Sequence, residues 1–101
     1  MTECYADFVK AGVRIERERP TDRLMLAALG LAGESGEVID HLKKHIFHGV
    51  PLDRAALLLE LGDVRWYYEL LLICSGFTDE QVRDANMVKL RARYPERYGG
   101  R

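Results

Sequence analysis

The chain reads as an all-α domain, four helices in a bundle-like arrangement that homo-oligomerisation completes. Three observations carry this reading. Apolar residues recur at helical spacing, as in Leu31, Val38, Leu42 and Ile46; stop signals divide the chain at Pro20, at Gly49 to Pro51 and at Gly76; and no stretch alternates apolar with polar residues as a half-buried strand does. A first helix is expected from about Glu3 to Glu18, with Tyr5, Phe8, Gly12 and Val13 on one side. Pro20-Thr21-Asp22 interrupts it and can cap a second helix, which runs from about Asp22 to Phe47 and ends at Gly49-Val50-Pro51. Asp53 is the expected N-cap of a third helix that stops at Cys74 or Ser75, before Gly76. Thr78-x-x-Gln81 has the form of a capping box and opens a fourth, which ends before Pro95.

Composition narrows the classes of function. At 101 residues, 48% hydrophobic and 31% charged, the chain has the profile of one soluble domain, with 96–101 as a flexible tail. Fifteen basic and sixteen acidic residues leave a net charge of −1, so no overall field favours nucleic acid or an anionic membrane. Arg91, Arg93, Arg97 and Arg101 gather near the end without a nucleic-acid-reading motif. The most apolar region, Ala55 to Phe77, carries Glu60, Asp63, Arg65 and Glu69 and does not read as a membrane span. Cys4 and Cys74 lie far apart and form no C-x-x-C, and no secretory signal is visible at the start. A reduced, cytoplasmic protein is expected.

The third helix is apolar nearly all round. Leu57, Leu59, Leu61, Val64, Trp66, Leu70 and Ile73 spread over most of its circumference. A helix of that kind is usually buried, and four short helices supply little protein to cover it, so a homodimer or homotetramer is expected. Against this background two acidic pairs stand out, Glu34-x-x-Glu37 and Glu60-x-x-Asp63. Residues three apart on a helix are neighbours, so each pair presents two carboxylates on one face. Four acids aimed at one place repel, unless hard cations bound through carboxylate oxygen neutralise them. The spacing therefore points to a magnesium site, with Mn2+ as a substitute.

Other polar residues share those faces. Glu34, Glu37, His41, Lys44 and His48 fall in one sector of the second helix, beside a packing sector of Leu31, Val38, Ile39, Leu42 and Ile46. Lys44 lies about 10 Å along the axis from Glu37, a reach suited to the far end of a phosphate chain. On the fourth helix Asn86, Lys89 and Arg93 put an amide and two cations on one side. Tyr67 falls in the sector of Glu60 and Asp63 and can support them, whereas Trp66 is better suited to the core than to stacking on a base. His41, His45 and His48 could join Glu37 around zinc. However, no H-E-x-x-H is present and a site on one helix does not close, so surface or supporting histidines are the better reading.

The motifs, taken together, carry a resemblance. Gly30-Leu31-Ala32-Gly33-Glu34-Ser35-Gly36-Glu37-Val38-Ile39-Asp40 precedes Lys43-Lys44; then come Glu60-Leu61-Gly62-Asp63-Val64 with Trp66-Tyr67, and Asn86-x-x-Lys89-Leu90 with Arg93-Tyr94-Pro95. Over roughly residues 24–95 the chain resembles the MazG-like nucleotide pyrophosphohydrolases. That resemblance implies an all-α fold that dimerises or forms a dimer of dimers, needs magnesium, and cleaves nucleoside triphosphates to monophosphate and pyrophosphate. It assigns Glu34, Glu37, Glu60 and Asp63 to metal and catalysis, Asn86 and Lys89 to substrate, and Lys43 or Lys44 to phosphate. Arg65 departs from the apolar residue usual after the E-x-x-D valine and puts a charge on an expected packing surface. A reading of a different class is a non-catalytic helical module that binds nucleotides or a protein partner and uses the acids for structural cations or salt bridges.

Overall fold

A computed structural model describes residues 3–13 and 19–99, and every described element is a helix or a turn. The helices are α1 (Tyr5–Ala11), α2 (Pro20–His48), α3 (Arg54–Ser75) and α4 (Asp79–Arg93). Their ends follow local chemistry. Asp53 caps α3, its carboxylate accepting from the Ala56 amide. Thr78 and Gln81 complete a reciprocal capping box at α4. Gly49 and Gly76 end α2 and α3 at φ of 67° and 79°, in the left-handed region that suits glycine.

Two expectations about the first turn-points need correction. Helix α1 ends at Ala11, with Gly12 as its C-cap, rather than continuing; the expected stretch 14–18 lies outside the described residues. Asp22 does not cap α2. The helix begins two residues earlier with Pro20 in its first turn, where a missing N–H costs nothing, and Asp22 pairs instead with the Arg19 guanidinium at 2.9 Å.

The core sits where three helices meet. Val9 of α1, Ala27 of α2 and Leu70 of α3 form its buried centre, and Val13, Trp66, Tyr67, Leu71, Ile73 and Cys74 pack around it. Helices α2 and α3 form the main antiparallel pair and α1 lies on α3. Gly30 lets α2 and α3 come close, because a Cβ there would stand 2.2 Å from the Tyr67 ring. Arg65, the departure noted above, has a defined place. Its guanidinium lies 5.0 Å from the Tyr5 ring centre and 5.4 Å from that of Tyr68, and pairs with Glu69 at 2.8 Å, clasping α1 to α3.

Helix α4 stands apart from this core. It has no buried residue, and its visible tie to α3 is the Tyr68 hydroxyl donating to Asp79 at 3.2 Å. The radius of gyration, 17.0 Å, exceeds the roughly 13 Å expected of a closed domain this long. Much apolar surface is accordingly uncovered in the single chain. Ile39 and Ile46, expected in the packing sector of α2, are 66% and 65% exposed in the single chain, whereas Leu31, Val38 and Leu42 of the same sector are half-buried. Leu58 and Leu59 on α3 are equally open. Residues 95–99 form turns, with Arg97 and Tyr98 donating backbone hydrogen bonds to the Tyr94 carbonyl. No described helix is long and apolar enough to cross a membrane.

Candidate active site

The acidic pairs lie on the two helices that pack most closely, and that contact brings together one acid of each pair, whereas Glu37 and Glu60 do not line the cavity the other two share. Glu34 from α2 and Asp63 from α3 line one cavity of about 330 Å³, and its remaining wall is Trp66 and Tyr67. The two aromatics meet edge to face with centroids 5.0 Å apart, and Tyr67 is fixed by its seat on Gly30. One aromatic wall thus belongs both to the core and to the acidic hollow. Glu34 is half-buried, while Glu37 and Asp63 are exposed. These three carboxylates make no ion pair among the described residues.

Glu60 is held differently. Its Oε1 lies 3.5 Å from His41 Nδ1 of α2, and its Oε2 is buried without a hydrogen-bond partner. An orphaned carboxylate oxygen inside a protein is costly, and a cation is a natural partner for it. The donor set is all carboxylate, which suits a hard divalent ion such as magnesium. In kind, then, the residues fit the metal. Among the described residues, however, no three His, Cys, Asp or Glu side chains stand together as a ready-made cage.

The three histidines do not act together. His41 meets Glu60, His45 Nδ1 lies 2.8 Å from the Val50 carbonyl oxygen beyond the end of α2, and His48 is exposed. The single-helix zinc arrangement is therefore not formed. Lys43 and Lys44 both turn toward Asp40, at 4.0 and 3.4 Å, on an exposed part of α2. A pairing at that exposure is worth little, so both cations can be redirected by a more highly charged ligand. The one-turn spacing of Asp40 to both lysines is the sequence signal of this pairing.

Asn86, Lys89 and Arg93 share one side of α4 and are all exposed. Lys89 and Arg93 have no ion-pair partner among the described residues, and Asn86 borders a hollow with Met87, Leu90, Arg91 and Tyr98. Within one chain these α4 residues do not line the cavity of Glu34 and Asp63. Sequence alone marks no role for Gly30 and only a charge at Arg65. What each does depends on a contact between helices, with Tyr67 for the one and with Tyr5 for the other.

Comparison with known proteins bears on the same segment. Residues 23–98 match the model of a family described as the MazG nucleotide pyrophosphohydrolase domain. No curated protein and no solved structure gave a match.

Proposed function

The chain belongs to the MazG nucleotide pyrophosphohydrolase family, and from that premise we propose that it is a magnesium-dependent hydrolase that cleaves a nucleoside or deoxynucleoside triphosphate to the monophosphate and pyrophosphate. The observation that carries the reading is the cavity into which α2 and α3 each bring a carboxylate of the two acidic pairs, Glu34 and Asp63. In this reading Glu34, Glu37, Glu60 and Asp63 hold the cation, with Mn2+ able to replace Mg2+. The bound ion supplies neutralisation of the triphosphate oxygens and a water of lowered pKa. A carboxylate oxygen of the four that is not committed to the ion takes the proton of the attacking water.

The remaining roles belong to the cations and the aromatic wall. Lys43 or Lys44, released from Asp40, and Lys89 and Arg93 of α4 receive the charge that develops on the departing pyrophosphate. Asn86 offers both a donor and an acceptor to the sugar or base. Tyr67 keeps the hollow in shape by packing against Gly30.

The α4 cations must be brought to the acids by assembly, so the working form is a homodimer or homotetramer. Support comes from the open shape of the single chain and from its uncovered apolar residues, among them Ile39, Ile46, Phe47, Leu58 and Leu59. Clearing unwanted nucleotides from the cytoplasmic pool, by a single domain spanning 1–101, is the role that fits these properties.

The decisive experiment follows pyrophosphate release from a panel of nucleoside triphosphates, with Mg2+, with Mn2+ and with chelator. Equal yields of monophosphate and pyrophosphate, lost with chelator, are expected. Tight nucleotide binding without cleavage of any member would overturn the reading in favour of a non-catalytic binding module.

A further inference from the structure

His41 is the one histidine of α2 that reaches across to the acids of α3. It lies seven residues after Glu34 and four after Glu37, so it continues their face of the helix. Its side chain is 15% exposed and that of Glu60 is 26% exposed, so the contact between them is largely sheltered from water. The two oxygens of Glu60 are consequently unequal: Oε1 faces His41 Nδ1 at 3.5 Å and Oε2 is buried with no partner.

We propose that His41 is a positioning residue: its Nδ1–H holds Oε1 of Glu60, fixing the carboxylate so that Oε2 is the oxygen offered to the divalent cation. The inference rests on the metal-binding reading above and adds the group that orients one ligand. The neutral imidazole suffices, since the tautomer protonated at Nδ1 has the donor on the side of Glu60. A separation of 3.5 Å is longer than a good hydrogen bond, and contacts of this kind commonly tighten when the ligand arrives. A carboxylate left to rotate would lose time in arrangements that present neither oxygen, and the affinity for the ion would fall with it. The role is distinct from ligation, because Nδ1 is turned to Glu60.

Titration of the full chain with Mn2+, followed by electron paramagnetic resonance of the free ion, tests this. His41→Ala should weaken Mn2+ binding by about tenfold or more, the usual cost of removing a group that orients a metal ligand. His41→Asn, whose amide nitrogen can occupy the place of Nδ1, should recover most of the loss. His41→Gln, whose amide lies nearer the place of Nε2, should not. Helical circular dichroism and melting temperature are measured on all three; should His41→Ala unfold, the Asn and Gln variants still decide the matter. Equal Mn2+ affinity in wild type and variants overturns the positioning role while leaving the hydrolase reading intact, and equal rescue by Asn and Gln overturns the Nδ1 geometry. Wild-type protein that neither binds Mn2+ nor releases pyrophosphate overturns the hydrolase reading, and the role of His41 goes with it.

Discussion

The α2–α3 pair and α4 carry the opposite charges that the proposed function unites, yet they are built by different means. Helices α2 and α3 owe their placement to packing: Ala27, Leu70 and the Tyr67 ring on Gly30 bring Glu34 and Asp63 to one cavity. Helix α4 owes its existence to its ends. A capping box fixes its start, Asp79 and Glu80 occupy its first turn and Arg91 and Arg93 its last, all in accord with the helix dipole. No residue on it is buried. Local chemistry can therefore make a helix without giving it a location, and it is the proposed assembly that would bring the two regions together.

The sharpest break in this comparison comes from the acids. Asp63→Asn should lower turnover by about 100-fold or more, because the charge stabilisation supplied by a bound metal is worth several kcal/mol; Glu37→Gln should do the same, with the helical circular dichroism unchanged in both. Steady-state pyrophosphate release measures it. Next in size is the seat under Tyr67. Gly30→Val should destabilise the chain by about 2 kcal/mol through overpacking, read by urea denaturation, since the ring has to leave a wall shared by core and cavity. On α4 the effects should differ in kind. Lys89→Ala should raise KM by about tenfold, roughly the 1.4 kcal/mol of one charged contact to phosphate, with little change in melting. Thr78→Ala should cost about 1 kcal/mol of α4 stability by removing the cap, seen as faster amide exchange in α4 alone.

The smallest effect concerns the tie between the two regions. Burial first, and then the hydrogen bond to Asp79, raise the Tyr68 hydroxyl above its ordinary pKa of 10.0. The folded chain therefore keeps a proton that the unfolded chain gives up. That stability is fully present below pH 10 and is lost as the pH rises through the folded value. Tyr68→Phe should remove this alkaline loss, and an undiminished loss in the variant, measured by melting between pH 9 and 11.5, would assign the effect elsewhere.

Legibility in the sequence followed the same division. The caps at Asp53, Thr78 and Gly76 could be read because each bonds within a turn of itself. The acidic pairs could be read because a three-residue spacing fixes a shared face whatever the helix packs against. Helical spacing carries α1 on through Gly12 and Val13, which the structure puts in a turn, and it marks Ile39 and Ile46 for packing that the single chain does not supply, since amphipathic spacing does not say which neighbour covers a face. Arg65 is the clearest case. Sequence marks only a charge on an apolar helix, and its meaning appears when Tyr5 and Tyr68 are found on either side of it.

By itself, then, the sequence determined that this chain is helical, where α3 and α4 begin and end, and which carboxylates share a face, because hydrogen bonds and side-chain neighbours within one turn are dictated by spacing alone. Only the tertiary structure decided that Glu34 and Asp63 line one cavity, that His41 reaches Glu60, and that Gly30 must be small. Those facts depend on how two helices approach one another, a distance set by the bulk of side chains more than thirty positions apart for Gly30 and Tyr67, and no local pattern encodes it.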